Sequence, residues 1–324
     1  MQRVDEAGPD ALVQVRVPVN KFPDVVRYFV QRLKVLCPTM GKVKMAQTLA
    51  RAGLHVGATT VGRMLKDTPP PRPKVAEDAQ SADRVVMSKH SNHVWLVDLT
   101  LVPTGAGLWC SWLPFALPQQ WPFCHWVAVV MDHFSRRAMG VGVFAKRPNC
   151  RDICAFLGRV AGRAGAVPKY IVCDRDSIFD CDAFRRWVKG KGIKPPRYGA
   201  VGQHGSIAVV ERLIKSMKDE CTRRILVPCR RRACRRELLS FVGWYNEHRP
   251  HTTLNGSTPN EVYFGQRSAH RRPRVEPRNR WPRGSPCARP RTLVAGQPGD
   301  RFQVRVQIRT GRRHLPVVSL HRAA

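Results

Sequence analysis

Residues 202–221 read GQHGSIAVVERLIKSMKDEC, and this stretch decides how the rest of the chain is interpreted. Gly205 interrupts the preceding segment, and Ser206 is a residue type suited to cap a helix. Apolar side chains then recur at helical spacing, which predicts an amphipathic helix with one buried face. The apolar positions are Ile207, Val210, Leu213, Ile214, Met217 and Cys221.

Three charged side chains border the buried face of this predicted helix. Glu211, Lys215 and Lys218 are spaced so that they lie nearly on one line along a helix. A carboxylate beside two ammonium groups suits a metal-binding acid next to a phosphate backbone. A solvent-exposed helix face with intrahelical salt bridges has the same pattern, so the helix alone does not decide between the two interpretations.

The strong positive charge of the chain favours a negatively charged partner. The 324 residues are 43% hydrophobic and carry a net charge of +33, which indicates a globular protein of two or three domains with a polyanionic partner. Nucleic acid is the commonest such partner, and a membrane surface is the competitor. Because no apolar run reaches membrane-spanning length and no signal peptide is found, we expect a cytoplasmic, nucleoid-associated protein without a membrane partner.

The eleven cysteines lack the paired spacing of zinc sites, so they are expected to be reduced and mostly buried thiols.

Residues 1–66 are predicted to form an all-α DNA-binding region. Apolar periodicity predicts helices over 23–36, 41–52 and 58–66, and a glycine-containing turn joins the last two. Two short helices joined in this way match the helix-turn-helix pattern, although an ordinary three-helix packing unit is the alternative. The side chains expected to face a DNA groove are Thr59, Thr60, Arg63 and Lys66.

The remaining chain divides into a linker, a core and a basic tail. Residues 67–92 form a Pro-rich linker, and residues 93–265 are rich in strand and helix patterns. Residues 266–324 hold fifteen Arg, no Lys and two acids, which indicates an Arg-rich linker followed by a small β module. Within this module, residues 301–308 alternate as a strand does, and a second strand is expected from Val317.

Two acids of the core stand at unusual places. Asp98 lies inside the strand predicted from residue 93, whose two faces are both apolar, and a charge there is costly unless it meets a cation or a metal. Asp174 follows the short apolar strand 170–173, at the strand end where active sites of α/β sheets lie.

Asp98, Asp174 and Glu211 are three carboxylates that would suit one site if the fold brings them together. Hard oxygen ligands of this kind favour Mg²⁺ or Mn²⁺. Two such ions can activate an attacking oxygen and stabilise the leaving oxygen of a phosphodiester.

The sequence around these acids resembles the DDE integrase and transposase superfamily. It is similar to the bacterial insertion-sequence transposases that carry a retroviral-integrase-type catalytic core. The resemblance spans about residues 90–265, and its landmarks fall in the family's order and spacing. The matching segments are WLVDLT (95–100), VVMDHFSRRAMG (129–140), IVCDRDSIF (171–179), HGSIAVVERLIKSMKDE (204–220) and WYNEHRPHTTLNGSTPNE (244–261).

This resemblance implies a fold, an activity and a set of site residues. The fold class is α/β, with a ribonuclease-H-like mixed sheet and flanking helices preceded by the helix-turn-helix region and followed by the basic β module. The catalytic and metal-binding residues would be Asp98, Asp174 and Glu211, which would hold two Mg²⁺ or Mn²⁺ ions. Lys215 and Lys218 match positions that contact the DNA end. The implied activity is metal-dependent strand cleavage and strand transfer during DNA integration and recombination, performed by a homo-oligomer on element ends and target DNA.

The chain departs from the family pattern at several places. The family commonly has Asp-Asn-Gly after its second catalytic strand, whereas this chain has Asp174-Arg175-Asp176, which makes Asp176 the fallback metal ligand. The zinc-binding module of retroviral integrases is absent, and the helix-turn-helix takes its place. Residues 3–12, RVDEAGPDAL, resemble the tail of a helix-turn-helix module, which implies that an upstream half is missing.

The sequence also suggests roles for two further polar residues and leaves three alternative functions. Asp132 is expected to cap a turn, and His204 to be a structural loop histidine rather than a group that positions water or phosphate. The rivals to a transposase are a ribonuclease-H-like nuclease, an inactive remnant that only binds DNA, and an RNA-binding basic protein.

Overall fold

Several predictions from the sequence concern residues that the structure does not describe. The predicted cap at Ser206, the role of His204 and the resemblance of residues 3–12 all fall on such residues. The computed structural model describes residues 24–66, 87–106, 121–199, 207–271, 274–275, 294–295 and 301–323.

Three helices form the first described unit: α1 (Asp24–Leu36), α2 (Lys42–Arg51) and α3 (Ala58–Lys66). Their bounds differ by at most one residue from the helices that apolar periodicity predicts. Gly53 adopts a φ of +95° in the turn between α2 and α3, a conformation that glycine tolerates because it has no Cβ. The side chains buried between these helices are Val26, Val30, Leu33, Met45, Leu49 and Val61.

A five-stranded mixed sheet forms the core, in the order β3-β2-β1-β4-β5. The first three strands of the sequence pair antiparallel, and β4 and β5 continue the sheet parallel to β1. The strands are β1 (Val94–Pro103), β2 (Cys124–Asp132), β3 (Ala138–Phe144), β4 (Tyr170–Cys173) and β5 (Arg197–Tyr198). This is the mixed sheet that the family resemblance implies.

Strand β1 is the middle strand because it pairs with β2 on one edge and with β4 on the other, and helices cover both of its faces. Val94 and Leu96 pack into one apolar cluster, whereas Trp95 and Val97 pack into the cluster on the opposite face. Helices α4 (Cys150–Ala164) and α5 (Asp182–Gly190) cover the face of Trp95. Helices α6 (Ala208–Met217) and α7 (Arg231–Glu247) cover the face of Leu96. The expected α/β class with flanking helices is therefore confirmed.

The elements after α6 are short except for α7 and the terminal hairpin. A π-helical turn (Lys218–Thr222) extends α6, and 3₁₀ turns occur at Thr252–Leu254, Ala269–Arg271 and Arg309–Gly311. The other elements are α8 (Pro259–Tyr263), the strands β6 (Arg274–Val275) and β7 (Val294–Ala295), and the strands β8 (Arg301–Ile308) and β9 (Pro316–Ala323).

The antiparallel hairpin of β8 and β9 packs against α7. The indole Nε1 of buried Trp244 donates to the Pro316 carbonyl at 2.8 Å. Arg312 donates to both carboxylate oxygens of Glu237, at 2.5 and 2.7 Å. The sequence predicts this hairpin, but its position on α7 depends on contacts between residues far apart in the chain.

Ion pairs join the three-helix unit to the core. Arg51 on α2 donates to both carboxylate oxygens of Glu261 on α8, at 2.6 and 2.9 Å. Lys44, also on α2, lies 3.7 Å from the buried carboxylate of Glu220, which Arg249 binds through two hydrogen bonds of 2.6 and 2.8 Å. These contacts are charge-assisted and partly buried, so they fix the orientation of α2 relative to the core.

The structure also bears on membrane-spanning helices and on the state of the cysteines. In the ranges that the structure describes, no helix has the length and apolar character needed to cross a bilayer. Nine of the cysteines fall in those ranges, and each is a free thiol.

Close packing between β3 and α4 gives a testable prediction. A Cβ added at Gly140 would lie 2.7 Å from Cγ2 of Val160, a buried and β-branched side chain that has little freedom to move. We expect Gly140→Ala to lower the free energy of unfolding by about 1–3 kcal/mol, as measured by urea denaturation. The matched control is Gly158→Ala on α4, where an added Cβ meets nothing within 4 Å. It should raise the free energy of unfolding by up to about 1 kcal/mol, and equal effects of the two variants would contradict this packing.

Candidate active site and nucleic-acid interface

Asp98 and Asp174 occupy matching positions on neighbouring parallel strands. The register of β1 and β4 pairs Val94 with Tyr170 and Leu96 with Val172. Continuing this register by two residues brings Asp98 opposite Asp174, just beyond the last residue of β4. Neighbouring strands lie about 4.8 Å apart, and side chains two residues apart share a face. Both acids therefore belong to the sheet face that α6 covers.

The carboxyl group of Asp98 is largely removed from water. Burial raises its pKa to about 6, and the negative charges of Asp174 and Glu211 act in the same direction. The Leu99 backbone N–H, which donates to Oδ1 at 2.7 Å, and the Lys218 ammonium group act in the opposite direction. The three acids singled out in the sequence thus lie within electrostatic range of one another, and the structure brings Lys218 to the same place.

The side chains of Asp174 and Asp176 have different partners. Asp176 accepts from Arg147 Nη2 at 2.6 Å and from the Ile178 backbone N–H at 3.1 Å, and these bonds lower its pKa although burial opposes them. From the described residues, Asp174 accepts one long 3.4 Å bond, donated by the Asp176 backbone N–H, and burial raises its pKa. Asp176 is therefore engaged by its own chain, whereas the Asp174 carboxylate retains free lone pairs.

Glu211 lies in the first turn of α6 with its side chain exposed. Within the described part of the chain, it forms no ion pair with Lys215 or Lys218. The alternative of a salt-bridged helix face therefore has no support in this helix. Lys215 is exposed, whereas Lys218 begins the π-helical turn and is half-buried beside Asp98, where burial lowers its pKa.

The donor chemistry of the three acids fits a hard divalent cation. The ligands would all be carboxylate oxygens, and the buried charge of Asp98 has Lys218 as its nearby cation. Among the described residues, however, no three Asp, Glu, His or Cys side chains are already gathered closely enough to hold one ion. The exposed and unpaired Glu211 side chain is the member of the set that is free to reorient.

Asp132 has the capping role that the sequence suggests. It is fully buried at the end of β2, and its Oδ2 accepts from the backbone N–H and the hydroxyl of Ser135 at 2.8 and 2.6 Å. Its Oδ1 accepts from the Asn92 backbone N–H at 2.8 Å. These bonds occupy both oxygens, so Asp132 stabilises the turn after β2.

Helix α3 presents one polar face to solvent. Thr59, Arg63 and Lys66 are exposed, Thr60 is half-buried, and Val61 and Met64 face the core of the three-helix unit. The spacing of the three exposed residues places them along one side of the helix. This is the face that the sequence assigns to DNA.

A basic groove beside β3 was not singled out from the sequence. A cavity of about 340 Å³ lies between α4 and the start of α7, and it is lined by Arg159, Arg163, Arg231, Arg232 and Arg235. The run RRRACRR at 230–236 is the signal that could have indicated it. The arginines of α4 could not have been joined to that run without the tertiary structure.

The comparisons with known proteins concern this same core. Residues 192–259 match the family model described as Integrase core domain. The matched segment contains Glu211, Lys215 and Lys218 and ends at Pro259, the first residue of α8. It confirms the resemblance to the DDE integrase and transposase superfamily. Asp98 and Asp174 lie before the matched segment. No curated protein sequence matches the chain.

Two solved structures that resemble the chain are of the catalytic core domain of the HTLV-2 integrase in complex with magnesium, in trimeric and dimeric forms. Each is 20% identical and covers 54% of this chain and 97% of its own. The TM-scores are 0.38 for the trimeric form and 0.37 for the dimeric form.

The different partners of Asp174 and Asp176 give a prediction for metal binding. We expect Asp174→Asn to weaken Mn²⁺ binding by the DNA-free protein at least about tenfold, because it removes a free carboxylate. Asp176→Asn should retain nearly normal affinity, because that carboxylate is already bound by Arg147. Electron paramagnetic resonance of free Mn²⁺ measures both affinities. The reverse order would make Asp176 the ligand.

Proposed function

We propose that this chain, which carries an integrase-type core, is a DNA transposase or integrase that cleaves and joins DNA strands at the ends of a mobile element. It would first hydrolyse a phosphodiester bond to release a 3′-hydroxyl at the element end. That hydroxyl would then attack a phosphodiester of target DNA and displace a strand end. No covalent bond to the protein is required in either step.

Asp98, Asp174 and Glu211 are the residues to which we assign the chemistry. Their carboxylates would hold two divalent ions, Mg²⁺ or Mn²⁺, which would supply a Lewis acid for the leaving oxygen and a lowered pKa for the attacking water or hydroxyl. The strands hold Asp98 and Asp174 in fixed register, whereas the exposed Glu211 side chain would swing towards them. Lys218 would lie between these acids and the DNA phosphates, with Lys215 about one turn before it on the same helix face.

The matched register of Asp98 and Asp174, with Glu211 and Lys218 in electrostatic range, is the observation that carries this proposal. A buried carboxylate in the middle strand of a covered sheet costs free energy. Two such acids side by side add mutual repulsion. Divalent cation binding would offset both costs, which is why a metal-dependent reaction suits the arrangement better than a structural role does.

DNA binding in this proposal comes from several basic elements. The exposed face of α3, with Thr59, Arg63 and Lys66, and half-buried Thr60 beside it, would contact the groove of the element end. Lys215, Lys218 and the Arg-rich residues 266–324 would neutralise phosphates, so affinity should fall steeply as salt concentration rises. A homo-oligomer would pair two element ends. The HTLV-2 core domain, reported in dimeric and trimeric forms, is an oligomeric protein of similar fold.

A Glu211→Gln variant tests the enzymatic part of the proposal. Because Glu211 is exposed, the variant should fold normally and bind DNA as the wild type does. We expect it to lose Mg²⁺-dependent nicking and joining of labelled duplexes, taken from DNA on either side of the coding sequence, by at least about 100-fold. Gel electrophoresis measures both products, and a mobility-shift assay measures binding. The matched control is Asp182→Asn, which removes an exposed acid on α5 and should leave both activities intact.

The same assay separates the proposed function from its rivals. Equal activity in Glu211→Gln and wild type would contradict the assignment of the three acids. Cleavage by the wild type without joining of a pre-cut end to a plasmid would indicate a nuclease. DNA binding by the wild type without any metal-dependent cleavage would indicate a DNA-binding remnant.

A further inference from the structure

A second cavity lies between the three-helix unit and the core, on the opposite side of α6 from Glu211. Its volume is about 260 Å³. The α6 residues that line it, Val209, Arg212, Leu213 and Ser216, point about 100° to 160° around the helix from Glu211 at 3.6 residues per turn, and Arg212 is the nearest of them to Glu211. The cavity is therefore separate from the three acids.

Cations from four elements meet in this cavity. Lys44 comes from α2, Arg136 from the turn after β2, Arg212 from α6, and Arg249 from the segment after α7. His251 also lines it, but burial and the neighbouring cations hold its pKa well below the ordinary value, so the imidazole is neutral. The facing acids are Glu220, which Arg249 and Lys44 already bind, and Asp132, whose charge acts on Arg136. Positive charge is thus in excess.

Two polar groups of the cavity have unused hydrogen-bonding capacity. Nη1 of Arg136 is buried and has no hydrogen-bond partner within the described part of the chain. Ser216 Oγ accepts from Arg249 Nη2 at 3.1 Å, which leaves the serine proton free to be donated. Arg136 adopts a φ of +61°, an uncommon conformation for a residue with a side chain. A guanidinium with an unsatisfied Nη1 therefore lines a positively charged cavity.

We propose that this cavity binds a phosphate group of the DNA backbone, away from the phosphodiester that is cleaved. Arginine guanidinium groups, an ammonium group and hydroxyl groups are the donors that recognise phosphate oxygens. Arg212, Thr252 and Thr253 are exposed at the mouth, so a backbone phosphate can enter from solvent. The inference rests on the proposed function only in naming DNA as the source of the phosphate.

Binding there would connect the three-helix unit to the core. Lys44 belongs to α2, whereas Arg136, Arg212 and Arg249 belong to the core. A phosphate held by both would add a further attraction to the ion pairs that already join the two parts. In support, burial and the Arg249 charge lower the pKa of Lys44 to about 8, although Glu220 acts in the opposite direction. A bound anion would raise the pKa of Lys44 again.

The reactivity of Lys44 provides a direct test on the full-length protein without metal. The protein is acetylated briefly at pH 8, and modification of Lys44 is measured by peptide mass spectrometry. We expect inorganic phosphate, compared with chloride at equal ionic strength, to slow modification of Lys44 several-fold, because bound phosphate keeps the amine protonated and covered. Exposed Lys191 should be modified at an unchanged rate.

Three variants make the test specific. Arg136→Gln and Arg212→Gln should abolish the protection, whereas Arg186→Gln, which removes an exposed arginine on α5, should retain it. Because Arg212 is exposed, its variant remains informative if Arg136→Gln fails to fold. Absence of protection in the wild type, or protection that persists in Arg212→Gln, would overturn the site.

A second arm of the experiment identifies the source of the phosphate. A short duplex, at a concentration that a mobility-shift assay shows to be saturating, should protect Lys44 in the wild type and not in Arg212→Gln. Protection by inorganic phosphate without protection by bound duplex would overturn the assignment to DNA. Since no metal is present, loss of strand cleavage cannot produce either result.

Discussion

The burial of a carboxylate in the middle strand is the constraint on which the rest of the core depends. Strand β1 has partners on both edges and helices on both faces, so Asp98 is largely removed from water. Its pKa of about 6 reflects burial first and the neighbouring acids second. A fold stabilised by the apolar side chains of β1 tolerates this charge at a cost. A cation bound beside the Asp98 carboxylate would offset this free-energy cost.

Helix α6 carries out several tasks because different sides of it face different surroundings. Val210, Leu213 and Met217 bury one side against the sheet. Glu211, Lys215 and Lys218 follow another side, and the charges of Glu211 and Lys218 act on Asp98. Arg212 and Ser216 face the basic cavity beside α2. A shift of this helix would therefore alter the apolar core, the acid cluster and the basic cavity together.

Local patterns in the sequence predicted the elements well, but not how distant elements meet. The apolar stripes of α1, α2 and α3 and the alternation in β1 predicted the correct element types. The hydrogen bond that the Asp132 carboxylate accepts from Ser135 confirmed the expected capping role of Asp132. Proximity of Asp98 to Asp174 was expected from the family resemblance, and strand register explains it. The Arg249–Glu220 pair and the basic cavity depend on contacts across the chain, which periodicity does not encode. The π-helical turn at Lys218 also had no local signal.

The free energy of unfolding of Asp98→Asn, measured with and without Mn²⁺, tests whether a bound cation offsets the cost of burying the Asp98 carboxylate in the middle strand. Without the ion, the variant should be more stable than the wild type at neutral pH by roughly 1–3 kcal/mol, because a buried charge is removed. With Mn²⁺, the wild type should gain stability and the variant should not. A variant that is less stable without the ion, or that gains as much from Mn²⁺ as the wild type, would contradict a cation site at Asp98.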